Sequence, residues 1–336
     1  GSDLLLGTVG GGVYRRQGSG WTRIGGPSPA AVVTDAVAIE PAPDGIRAAT
    51  TSLGGGVAFS DGPSWPSPGY IQEPLYRLPD GCGEATAVAR TSGLWPEVLV
   101  ATSCGPYIVS TTAATAASTG LSPASFPTTL SSHSGAIFGG TATSGLWRFS
   151  GASWSAEPVA GYTATGTVNA LRSFSGSLWV AMAEGLFSRG SGPWAEVSAG
   201  LPSSGLVVSL GGDAGAAFAG LATGGIYRRP AGSFFHKDSA GLNSAPVFSI
   251  DLSGGRLWAA AGPRGLALKR DGGWSAETSG LPPGASVTVV RNLGDVGDGA
   301  GGEALLVGTA GHGTYIASTR PGVRTLPVVL DVVGAG

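Results

Sequence analysis

Four carboxylates, Asp35, Glu40, Glu84 and Asp251, lie in or beside short apolar runs of one character. Two carboxyl groups facing one cleft are what glycoside cleavage needs, and an acid facing a base serves a lyase. The plainer role for such groups is to cap turns or to pair with arginine. The segment Asp295-Val-Gly-Asp298-Gly-Ala-Gly-Gly-Glu303 sets oxygen ligands among glycines at spacings that Ca²⁺ tolerates. It lacks the alternation of a helix-loop-helix calcium site and reads more simply as a solvated hairpin turn. No other cofactor is implied. His133, His236 and His312 are far apart in sequence, which argues against a zinc triad.

The elements that must position these groups repeat. Leu4-Leu5-Leu6-Gly7-Thr8 … Gly12-Val13-Tyr14-Arg15 has the pattern of Leu178-Trp179-Val180-Ala181-Met182 … Gly185-Leu186-Phe187-Ser188. Further copies begin near Ile46, Val98, Ala136, Ala216, Arg256 and Ala304, giving eight copies at a period of about 42 residues. A third run precedes most copies: Val33–Glu40, Ala85–Arg90, Thr167–Phe174, Leu206–Leu210, Ala245–Leu252 and Val287–Asn292. A fourth follows many of them, marked by Trp21, Trp154, Trp194 and Trp274, with Phe234 in the matching place of another copy. Turns of the type Gly200-Leu201-Pro202, Gly241-Leu242 and Gly280-Leu281-Pro282 come next. Each unit thus has four short strands, A (inner) to D (outer). That predicts an all-β chain, a β-propeller of eight four-stranded blades, with seven as the alternative because the third unit lacks the tryptophan. The repeat aromatics read as packing between blades; Trp95, Tyr70, Tyr76 and Tyr162 fall off the repeat and are better surface candidates.

The whole chain reads as one domain. It begins at strand B of the first unit, and Thr325–Val333 is one more apolar β run. That run would supply strand A of the first blade or strand D of the last, closing the ring between the two ends, or would begin a downstream domain. Gly1-Ser2 reads as a cloning remnant. Cys82 precedes strand A of the third unit and Cys104 ends its strand B, equidistant from the hairpin turn near Gly93. Antiparallel pairing sets them opposite each other, which predicts a disulfide and an oxidising compartment.

Composition agrees. Glycine makes up 60 of 336 residues, and charged residues only 12%. A net charge of -2 excludes the electrostatic footprint of a nucleic-acid binder. No apolar run reaches the roughly 20 residues of a membrane helix. Two lysines against seventeen arginines suggest a GC-rich bacterial source.

Ser60-Asp61-Gly62-Pro63-Ser64-Trp65 and Arg270-Asp271-Gly272-Gly273-Trp274 resemble shortened Asp-box (BNR) turns of sialidase-like, photosystem-assembly and bacterial sensor propellers. Arg189–Trp194 and Ser150–Trp154 are further copies without the Asp. The resemblance implies the fold and not an activity. A sialidase would need three converging arginines, a tyrosine nucleophile with a Glu partner, and an Asp acid. Arg47, Arg90, Arg172 and Arg291 lie on or beside inner strands, but at positions that do not look equivalent, and no tyrosine lies on an inner strand. The resemblance also places ligands on the face of the B–C turns and D–A loops, where Glu184, Arg264 and His312 occupy comparable turns. The longest insertions, Gly62–Gly83 and Thr111–Leu130, would carry any grafted function beside the second and third blades. The expectation is a secreted or periplasmic, non-catalytic binding or scaffold module, monomeric, with a glycan or protein partner. The alternative is a carbohydrate-active enzyme with Asp35, Glu40, Glu84 and Asp251 at the channel mouth.

Overall fold

The computed structural model describes backbone at 5–8, 12–17, 20–25, 32–42, 45–53, 56–61, 82, 85–91, 97–110, 113–162, 165–242, 244–253, 255–278, 281–295, 303–310, 314–318 and 326–328. Side chains are described through the same ranges from 85 to 292, except at 253, and at a few positions outside them. Among the described residues, apart from one short 3-10 turn, Pro123–Ser125, the regular structure is all strand.

Numbering the repeats I to VIII, units III to VII each form a four-stranded antiparallel sheet in simple up-and-down order. Their A strands are Ala85–Arg90, Pro127–His133, Val168–Phe174, Val207–Gly212 and Ser249–Ser253. Unit VIII has Ser286–Asp295 as strand A, and Leu326–Val328 pairs with Thr314–Ser318 as its fourth strand. Unit II opens with Val32–Ala42, joined to unit VIII by the single bridge Val32–Ala310. Unit I has three strands among the described residues, Leu5–Thr8, Gly12–Gln17 and Gly20–Gly25, with no strand A among them. The A strands pack side by side in chain order from II to VIII, and strand A of VIII packs in turn on strand A of II.

Hydrophobic cores lie between neighbouring sheets. Phe218, Ile226, Ile250, Leu257 and Trp274 pack between VI and VII; Leu99, Leu130, Ile137 and Trp154 pack between III and IV. A sheet buried on both faces reads as a continuous apolar run, not an alternating one. Strand B shows this: Val98–Thr102 and Ala216–Leu221 are buried at every position. The A–B hairpins of IV and V turn on Ser134-Gly135 and Ser175-Gly176, all four with positive φ, as a two-residue type I′ turn requires.

The recurrent Gly-Leu turn after strand D docks on the next blade. Trp154 N–H donates to Thr119 O, Phe235 N–H to Ala199 O and Trp274 N–H to Ala240 O, at 2.7–2.9 Å. The following glycines, Gly200 and Gly241, have φ near +90°, and a Cβ on either would stand 2.0 Å from the carbonyl oxygen of Phe235 or Trp274. Trp154 and Trp274 also donate their indole N–H back to Ala117 O and Asp238 O of the preceding unit. In unit VI the aromatic in this place is Phe235, 3% exposed, one residue beyond the expected Phe234, which is 69% exposed. The stretch 113–126, expected as an insertion, supplies strand D of unit III, Ala114–Ala116, and its docking turn.

Candidate functional site

One register feature recurs along strand A. Pairing with strand B slips by one residue between Ala85 and Ala87, Pro127 and Thr129, Val168 and Ala170, Val207 and Ser209, and Val287 and Val289. Each slip is a bulge of one extra residue. Unit II has the same slip between Val33 and Asp35. In unit VII Phe248 holds the place, its N–H donating to Ala260 O just before strand A. The bulge residues are therefore Thr34, Thr86, Thr128, Asn169, Val208, Phe248 and Thr288.

Counting three residues on from each bulge gives Val37, Ala89, Ser131, Arg172, Gly211, Asp251 and Arg291. Arg172, Asp251 and Arg291 thus do sit at equivalent positions, contrary to the expectation from spacing, and Arg90 follows one residue later in unit III. They line a central cavity of about 360 Å³ with Arg90, Ser132, Ser173 and Asn292. All come from the later halves of the A strands, so this cavity lies toward the A–B hairpins.

Asp251 is the hub. Its Oδ2 accepts from Arg172 Nη2 at 2.6 Å and from Asn292 N–H at 3.1 Å; its Oδ1 accepts from Leu252 N–H at 2.9 Å. Arg291 Nη1 donates to Ser249 Oγ at 2.6 Å and to Val290 O, while Asn292 Nδ2 donates to Leu252 O. At the rim His133 Nδ1 lies 2.9 Å from Ser173 Oγ. Burial, and then the positive charge of Arg189, lower the His133 pKa below its ordinary value, which favours a neutral ring near pH 7.

The earlier halves of the A strands line a second, smaller cavity of about 180 Å³, with Thr86, Thr128, Asn169, Val208 and Phe248 around it. It shares Thr129, Leu171, Arg172 and Arg291 with the first, so the two lie end to end.

Of the other sequence candidates, Glu184 stands over Gly166, where a Cβ would meet both its carboxylate oxygens at 2.9 Å. Arg264 is exposed in a B–C turn. Asp35 and Glu40 lie on strand A of unit II, Glu40 paired in register with Arg47. Asp295 pairs in register with Glu303 across the hairpin of unit VIII. The side chains of these five residues, and Glu84, Asp298 and His312 altogether, lie outside the described residues, as do Tyr70, Tyr76 and Trp95. Tyr162 is 39% exposed, its ring edge-on to Phe187. Among the described residues no three His, Cys, Asp or Glu side chains gather as a metal site, and no helix is long and apolar enough to cross a membrane. Cys82 and Cys104 are joined as a disulfide, Cα atoms 5.3 Å apart.

No family model and no curated sequence matches the chain. Solved structures do resemble it. The extracellular domain of the putative one component system BT4673 from B. thetaiotaomicron aligns at 14% identity and a TM-score of 0.63 over 89% of this chain. The WD40 beta propeller domain of Doa1 aligns at 16% identity and 0.59, covering 89% of this chain and 96% of that one. An ancestral GH74 enzyme aligns at 16% and 0.65 over 90% of this chain and 47% of its own. The chain spans only 39% of the BT4673 chain. Likeness at this identity shows the fold alone, and that fold is of β-propeller type.

Proposed function

We propose that this chain is a non-catalytic binding module, a seven-bladed propeller of an extracellular protein that takes a small anionic ligand in its central cavity. The unbroken succession of A strands from II round to VIII and back to II supports seven blades, with unit I outside the ring. The alternative count is thus favoured over eight, and the unit set apart is the first rather than the third. The disulfide and the extracellular BT4673 likeness support secretion.

The observation that carries the binding reading is the convergence of Arg90, Arg172 and Arg291 on one cavity. Among the described residues that line it, Asp251 is the single carboxylate, and it is already held by three N–H donors. Guanidinium forks suit planar oxyanions, the carboxylate of an acidic sugar or of a partner's side chain among them. Calorimetric titration with glucuronate, galacturonate oligomers and short acidic peptides tests this. The expected result is saturable binding that weakens at least tenfold in Arg172→Lys, which keeps the charge beside Asp251 but loses the fork. Binding of none of these, or equal binding by the variant, overturns it. Cleavage of the oligomers, read as new reducing ends, would instead favour a carbohydrate-active enzyme using Asp251.

A further inference from the structure

The bulge positions have a default residue and an arc of departures. Thr86, Thr128 and Thr288 each donate Oγ1 to a strand B carbonyl, Ala101 O, Gly140 O and Gly308 O, at 3.3–3.4 Å. Thr34 keeps the same residue type in unit II. Units V, VI and VII, which are neighbours, replace it with Asn169, Val208 and Phe248. Asn169, Val208 and Phe248 all line the second cavity, so its wall over this arc lacks the threonine hydroxyls of the other units.

Asn169 Nδ2 is buried and donates to nothing in the protein. A buried amide N–H without an acceptor is costly, so a group that supplies the acceptor is favoured there. Beside it the surface turns apolar. Phe248 is 45% exposed, its ring against Gly262, and Leu206, just before strand A of unit VI, is 43% exposed. Both belong to the D–A side, at the opposite end of the channel from Asp251. The nearby hydroxyls are already donating: Thr128 to Gly140 O, Ser209 to Val247 O at 2.6 Å and Ser249 to Val290 O at 2.9 Å.

We infer that this arc is a second binding site, for an apolar residue of a partner polypeptide. A backbone carbonyl accepts from Asn169 Nδ2, and an aliphatic or aromatic side chain covers Phe248 and Val208. The site takes an acceptor and an apolar body, which one blocked amino acid supplies. A saccharide brings a donor with every hydroxyl, and would set polar edges against Val208. The two cavities share Arg172 and Arg291, and Arg90 lines only the other one, so Arg90 is the residue that tells the sites apart.

The test follows the Asn169 side-chain amide by NMR while N-acetyl-leucinamide, N-acetyl-phenylalaninamide, methyl glucoside or acetate is added. The expected result is a saturable shift with the two blocked amino acids, weakened at least tenfold in Phe248→Ser and unchanged in Arg90→Gln. Asn169→Leu should weaken binding similarly. The inference is overturned if neither blocked amino acid shifts the resonance at tens of millimolar. It is overturned equally if methyl glucoside or acetate binds there more tightly. Loss of anion binding in Arg90→Gln with this shift preserved separates the two sites.

Discussion

Arg172 reaches past a whole blade to Asp251. The two stand on strand A of units V and VII, with unit VI between them, where the equivalent position is Gly211. A Cβ at Gly211 would stand 2.9 Å from Ile250 on strand A of unit VII, so the glycine lets these two A strands approach closely. The pair is partly shielded, with side-chain exposures of 26% and 15%. A charged hydrogen bond of this kind contributes about 1.5–3 kcal/mol. Asp251→Ala is expected to destabilise by about 2 kcal/mol in urea unfolding. In a double-mutant cycle with Arg172→Ala the coupling should exceed about 0.5 kcal/mol. Additive single effects would mean the pair contributes nothing as a pair.

His133 gives stability a pH dependence. Its folded pKa lies below the ordinary 6.5, so the unfolded chain takes up the proton first as pH falls. The folding free energy held at neutral pH should therefore decline as pH drops below about 6.5 toward the folded pKa. Melting curves of wild type and His133→Gln between pH 5 and 7.5, on the order of one pKa unit to either side of an ordinary histidine, read this out. The variant should show a shallower decline; parallel curves would assign the pH dependence to other groups.

The disulfide closes a segment with a sequence separation of 22. Loop-closure entropy for that length corresponds to about 3 kcal/mol. The double variant Cys82→Ser, Cys104→Ser should lose stability on that order, measured by denaturant midpoint under non-reducing conditions. Free thiols detected in the untreated native protein would contradict the pairing.

The docking turns set a steric limit. Gly241→Ala places a methyl at φ +93° with the Trp274 carbonyl oxygen 2.0 Å away. Strain in this backbone region is about 1–3 kcal/mol before the clash is counted. Gly241→Ala should destabilise more than Gly232→Ala, where φ is +71° and nothing lies within 4 Å of the added Cβ. Equal midpoints for the two would show that the turn moves away from unit VII.

Deleting residues 1–30 tests the blade count. If unit I stands outside the ring, the shortened chain should keep its melting temperature within a few degrees and unfold in one step. An eight-bladed ring would be opened by the same deletion, and the melting temperature would fall steeply.

Much of this was legible in the residues. Strand B announces itself because burial on both faces leaves Val98–Thr102 and Ala216–Leu221 almost wholly apolar or small. The disulfide followed from hairpin symmetry alone. The shared position of Arg172, Asp251 and Arg291 stayed hidden, because strand A carries a bulge that spacing between apolar residues does not reveal. Phe234 and Phe235 are chemically alike, and only the hydrogen bond from Phe235 to Ala199 O tells which one enters the core. The Asn169 site had no local signal; it emerges by comparing Asn169 with threonines in other repeats once their register is known.

That register makes the channel wall addressable. The bulge sits at one place in each strand A, so seven coordinates, Val37, Ala89, Ser131, Arg172, Gly211, Asp251 and Arg291, share one ring of the scaffold. Loop length upstream of the bulge does not enter the count. A combinatorial library varied at Ser131, Arg172, Asp251 and Arg291, which line the cavity, would rewrite that part of the interior wall while leaving the docking turns untouched. The molecule is in that sense a holder with interchangeable inner teeth.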